Sequence, residues 1–216
     1  MKRKIFLSLF LLTAILSCLF SVSAHDYAKP IRWANKSGAF YPIKVNYDGV
    51  SGSSVLRKTF SQDSSGRNII RAAVDKWGNS STKATTTYSP IATSTVDFLT
   101  PTQKQWDSLG YLDPYAVAVA RSNDSNGYVF YTYEGARSST GRIIYATIWI
   151  YPPETILGYM PQQKYQVASM MHEIGHVYGL WHCPSSTSSS IMNDNQLKEP
   201  ILQSHDISDM NARYPY

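Results

Sequence analysis

The stretch ASMMHEIGHVYGLWHCPSSTSSSIM (residues 168–192) decides the reading of this chain. It carries three of the five histidines, His172, His176 and His182, within eleven residues, with Glu173 and glycines at 175 and 179 between them. His172 and His176 are four residues apart, so on a helix they share one face with Cβ atoms about 5–6 Å apart. Two imidazoles so placed can converge on one zinc ion at about 2.0–2.1 Å each. Glu173 is turned by about 100° from His172, which takes it out of a ligand position and sets it beside a water at the metal. Val167, Met170, Ile174 and Val177 fall on the opposite face and predict a helix over 163–180 seated on a core. Gly179 is the expected end of that helix, because glycine accepts the left-handed conformation. The turn there would bring His182 to the same ion. Three nitrogens leave a fourth position for water, the arrangement of a catalytic rather than a structural zinc. Glu173 is then the expected general base.

Working outward, NIIRAAVDKWGN (68–79) repeats apolar residues at helical spacing and predicts a first helix ended by Gly78. YPIKVNYD (41–48), TVDFLT (95–100), YAVAVARS (115–122), GYVFYTYE (127–134) and IIYATIWIYP (143–152) read as five strands, rich in β-branched and aromatic residues. A terminal helix is expected over 206–214, with Ser204 as its N-cap. The Ser/Thr/Asn-rich stretches 79–87, 122–126 and 185–190 read as loops within one domain. The order strand, helix, four strands, helix, loop, helix predicts an α+β fold. Its twisted mixed five-stranded sheet is packed by two long helices, with a small C-terminal subdomain after the loop.

Lys2, Arg3 and Lys4 precede an apolar run from Ile5 to Phe20, and Val22-Ser23-Ala24 supplies the small residues of a cleavage site. Residues 1–24 are therefore expected to be a signal peptide, and 25–216 one catalytic domain that carries the zinc site and is exported from the cell. The leader accounts for 24 of the 216 residues, leaving 192, and takes three of the five net positive charges, leaving +2. No cluster of Lys and Arg points to nucleic acid or to a membrane surface. Cys183 is the one cysteine after the leader, so no internal disulfide can form. Export without a disulfide suits a bacterial protein, and the sequons at Asn35, Asn79 and Asn123 matter only in a glycosylating host.

HEIGHVYGLWH (172–182) resembles the H-E-x-x-H-x-x-G-x-x-H signature of the metzincin clan of zinc peptidases. Met192, in Ser190-Ile191-Met192, is similar to the methionine that metzincins carry in a tight turn beneath the metal, in the form of the bacterial matrixin-like members. IRWANKSGAFYPIKVNYD (31–48), Trp77 and SHDISDMNARY (204–214) resemble the opening strand, first helix and last helix of matrixin domains. The resemblance implies a zincin-like fold and a monomeric secreted endopeptidase. It implies His172, His176 and His182 as zinc ligands, Glu173 as general base and Met192 as the floor of the site. It also implies a protein or peptide substrate lying antiparallel along the sheet edge at 127–133. The chain departs from relatives that use a tyrosine two residues after the methionine, since that position is Asp194. With only His25 and His205 beyond the site, a second structural zinc is not expected.

Other readings stay open at this level. The same residues fit a catalytically weak or inactive zinc-binding protein of this fold acting as a binding module. His25, at the new N-terminus, raises a copper oxidase as a more distant alternative. Cys183 reads as a buried bystander, because adjacent residues rarely point at one ion. Ser204-His205-Asp206 names the members of a hydrolase triad, but consecutive residues cannot form its relay. Calcium at SNDSNG (122–127) has no more support than a β-turn.

Overall fold

The structure is a computed structural model and describes residues 32–33, 43–49, 69–82, 86–89, 93–108, 118–123, 129–131, 142–150, 162–183, 189–193 and 199–214. The expected signal peptide, His25, residues 124–127 of the SNDSNG stretch, residues 185–188 of the expected loop 185–190 and Asp194 lie outside the described residues.

Elements follow in chain order as β1 (Arg32–Trp33), β2 (Ile43–Gly49), α1 (Ile69–Gly78), β3 (Thr86–Tyr88), β4 (Val96–Leu99) and α2 (Gln103–Asp107). After these come β5 (Ala118–Asn123), β6 (Val129–Tyr131), β7 (Arg142–Ile143), β8 (Tyr145–Ile150), α3 (Gln163–Val177) and α4 (Ser204–Arg213). The fold is α+β, and its main sheet runs β3-β2-β4-β8-β5-β6. β3, β2, β4 and β8 are parallel neighbours, whereas β5 is antiparallel to both β8 and β6, so the sheet is mixed. β1 and β7 make a separate parallel ladder, Arg32 opposite Arg142.

All five expected strands contribute to the sheet, and β3 adds a short sixth within the stretch 79–87 read as a loop. Three residues paired on one side only give too short an alternation to register as a strand. The last expected strand is broken at Ile144, which is 43% exposed, and this separates β7 from β8.

Side chains alternate across the sheet as the pleat requires. Ile43, Val45, Val96, Phe98, Ala118, Ala120, Ala146, Ile148 and Ile150 all point to the core side and are buried. α1 and α3 pack against each other, and α3 also packs on β5 and β8. α1 contributes Ile69, Ile70, Ala73, Val74 and Trp77, the buried stripe its spacing predicts. Gly78 does close α1, but not through a left-handed backbone, since Gly179 is the only described residue with positive φ. A Cβ at Gly78 would stand 2.8 Å from the Thr86 carbonyl oxygen, so glycine there lets β3 approach the helix end.

α2 is one short helix that apolar periodicity does not reveal, because Trp106 alone is buried on it. Its signal is a capping box: the Gln105 amide donates to Thr102 Oγ1 at 3.2 Å, and the Thr102 amide to Gln105 Oε1 at 2.8 Å. α4 begins two residues earlier than expected and has Gln203, not Ser204, at its N-cap. The described part of the C-terminal segment shares its core with the rest of the fold. Ile191, Met192 and Met210 belong to the same core as the sheet and the two long helices, because so short a segment buries too little surface to hold a core alone.

Candidate metal centre

α3 is buried over more of its circumference than an amphipathic helix facing a cleft would be. Val167, Met170, Ile174 and Val177 are buried as expected, but so are Ala168, Met171, Glu173, Gly175 and His176. α1 covers one flank, where Trp77 Nε1 donates to the Met171 carbonyl at 3.0 Å. The chain returning at Ser190–Asn193 covers another. A Cβ on Gly175 would lie 2.3 Å from Met192 Sδ and 3.5 Å from Trp77 Cζ2. Glycine inside the motif thus leaves the space that the Met192 side chain occupies against the helix carrying His172 and His176. The spacing of the motif left this role of Gly175 unread.

The helix ends in a Schellman turn. Gly179 has φ 88°, its amide donates to the His176 carbonyl at 2.8 Å, and the Leu180 amide donates to the Gly175 carbonyl at 2.9 Å. The same turn orients a histidine: His176 Nδ1 donates to the Leu180 carbonyl at 2.8 Å. His172 Nδ1 donates to the Ile191 carbonyl at 2.9 Å. A carbonyl only accepts, so Nδ1 carries the proton in both rings and Nε2 presents its lone pair. His182 arrives after the turn with its Nε2 3.0 Å from that of His176.

The ligand atoms of His172, His176 and His182 all lie within 4.8 Å of one another. Two nitrogens on a tetrahedral ion at about 2.1 Å stand about 3.4 Å apart, so these rings need only small shifts to share one. The three form a group that can hold a metal ion, and imidazole suits borderline transition metals better than calcium or magnesium, which prefer oxygen. Burial is graded across the site: His176 is 8% exposed, His172 half-buried and His182 exposed. The centre therefore opens to solvent on the His182 side. Glu173 is buried at 7% exposure, one residue from His172.

Met192 is fully buried, and its carbonyl accepts from the Cys183 amide at 2.9 Å. This bond ties the residue after His182 to the methionine turn. Cys183 is a buried free thiol, and among the described residues the group that could hold a metal ion is formed by the three histidines. The turn itself is held by Asp206 of α4, the residue expected to begin the terminal helix, and no local pattern ties it to the motif. Asp206 is fully buried and accepts from Ser190 Oγ and from the Ile191 amide.

The end of α3 is anchored as well. Tyr178 and Thr86 are hydrogen-bonded through their hydroxyls, Tyr214 Oη donates to the Tyr178 carbonyl at 2.8 Å, and Trp77 lies 5.6 Å from the Tyr178 ring. Burial pushes the Tyr178 phenol far above its usual range, so it stays protonated. On the other sheet face, Tyr145 donates to Asp97 and is raised likewise, by burial first and then by the carboxylate.

Gly175→Ala is expected to lower stability by about 1–3 kcal/mol through overpacking, although alanine favours a helix by about 1 kcal/mol over glycine. Denaturant unfolding measures the loss. It should shrink in a Met192→Ala background, where the crowding sulfur is gone; equal losses in both backgrounds would show that the contact is not responsible.

Neither a protein-family model nor a curated protein matches the chain.

Proposed function

We infer that this protein is a secreted, monomeric, zinc-dependent endopeptidase of metzincin type. The observation that carries the reading is three imidazoles with their ligand atoms within 4.8 Å, Glu173 one residue from the first, and a solvent-open side at His182. Three nitrogen ligands with an open position suit a catalytic zinc. When bound, zinc supplies Lewis acidity, lowering the pKa of water and polarising a carbonyl.

His172, His176 and His182 hold the ion, and the Ile191 and Leu180 carbonyls keep the first two rings in the binding tautomer. Glu173 takes a proton from the attacking water as its oxygen bonds to the peptide carbonyl carbon. It then returns a proton to the amine as the C–N bond breaks. Burial keeps competing water from its carboxylate. An extended peptide is expected to add to the sheet at β6, the last strand in the sheet order and the described part of 127–133.

The test is hydrolysis of a denatured protein by the purified chain loaded with Zn2+. Cleavage abolished by a chelator and restored by Zn2+ is the expected result, and mapping the cut sites in a peptide library would give the specificity. A zinc-loaded, folded protein that cuts nothing would overturn the enzyme reading and leave a zinc-binding module.

A further inference from the structure

We propose that Asp206 is a positioning residue for the metal site, acting on His172 through the Ser190–Met192 turn. The proposal rests on the three-histidine site, but not on that site cutting peptides. Asp206 Oδ1 accepts from Ser190 Oγ, and Oδ2 accepts from the Ile191 amide at 3.2 Å and the Gln203 amide at 2.8 Å. Its partly exposed neighbour His205 lies further off, Nε2 to Oδ1 3.5 Å. Ser190 in turn accepts from the Met192 amide at 2.9 Å on its Oγ and from the Asn193 amide at 3.2 Å on its carbonyl.

A fully buried carboxylate is costly unless its oxygens are satisfied. Capping α4 alone calls for one surface Ser, Thr or Asn. Here the carboxylate is sunk among Ser190, Ile191 and Met192, each fully buried, and what it fixes is the backbone of that turn. Ile191 joins the two ends: its amide is held by Asp206 and its carbonyl holds His172 Nδ1. The carbonyl shares its peptide plane with the Met192 amide, which donates to Ser190 Oγ while that hydroxyl donates to Asp206, so loss of the carboxylate loosens both peptide planes that aim the carbonyl. His176 is an internal control, because its orienting carbonyl, Leu180, belongs to the Schellman turn of α3 and makes no bond to Asp206.

The experiment compares wild type, Asp206→Ala and Asp206→Asn by Zn2+ affinity against a chromophoric chelator and by the imidazole Nδ1–H resonances of histidine-labelled protein. Asp206→Ala is expected to weaken Zn2+ binding about tenfold, the lower end of the 10–100-fold range for groups supporting a ligand. It should also speed solvent exchange at His172 Nδ1–H while leaving His176 unchanged. Asp206→Asn keeps an oxygen for the two amides and offers its NH2 to Ser190 Oγ, so it should restore most of both. Should Asp206→Ala not fold, Ser190→Ala cuts one link of the same chain and must show the same selective change at His172. Equal exchange at both rings, or Zn2+ affinity within twofold of wild type in a folded variant, would overturn the proposal. A wild type that binds Zn2+ but cuts nothing removes only the peptidase reading. If wild type binds no Zn2+, the metal-site reading falls, and exchange in the metal-free protein still tests Asp206.

Discussion

Replacing Glu173 by Gln is expected to leave Zn2+ content unchanged and to lower kcat/KM for peptide hydrolysis by about 10²–10⁴-fold, the usual contribution of a positioned general base. Glutamine has nearly the same size and keeps an oxygen acceptor, so the buried site at this position should retain its packing. It lacks a basic carboxylate and so cannot take the proton from water. The loss should fall mainly on kcat, because Glu173 is assigned a role in proton transfer and not in holding the substrate. Glu173→Ala should likewise keep the metal and abolish hydrolysis. Metal analysis and steady-state kinetics on the same preparation decide it, and retained activity in either variant would remove Glu173 from the mechanism.

Trp77→Ala should destabilise the fold by about 3–5 kcal/mol, the range for removing a large buried aromatic. Trp77 is 1% exposed, donates its indole N–H to the Met171 carbonyl at 3.0 Å, and packs against the Tyr178 ring. Its ring also bounds the space beside Gly175 that Met192 fills. The variant removes a contact that holds α3, the helix carrying His172 and His176, so metal affinity should fall together with stability. Trp77→Phe keeps most of the packing and loses the indole donor, and should cost about 1–3 kcal/mol. Urea unfolding measures both. A loss below about 1 kcal/mol for the alanine variant would mean that the core had closed over the gap.

Much of the fold was legible because its elements obey simple periods. α1 repeats apolar residues every three or four positions, and β8 alternates buried and half-buried residues along its length. β3 and α2 escaped because three and five residues are too few for a period to show. α2 announced itself only in its cap, Thr102 with Gln105. In α3 the pattern read as one apolar face and one polar face. The structure buries most of both, because contacts with α1 and with the returning turn are long-range and leave no mark on local periodicity.

The sequence by itself determined the local chemistry of the site. Spacing of four puts His172 and His176 on one helix face, and a glycine three residues later can take the left-handed conformation that stops the helix, as Gly179 does at φ 88°. Those are consequences of backbone geometry within a few residues. Tertiary structure alone decided what orients and supports that chemistry. The Ile191 carbonyl on His172 comes from 19 residues away, and the carboxylate that fixes Ile191 comes from α4. Met192 reaches the site through the space a missing Cβ leaves at Gly175. Hydrogen bonds and close contacts between distant segments depend on where the whole sheet and helices put them, and no spacing within the motif encodes that.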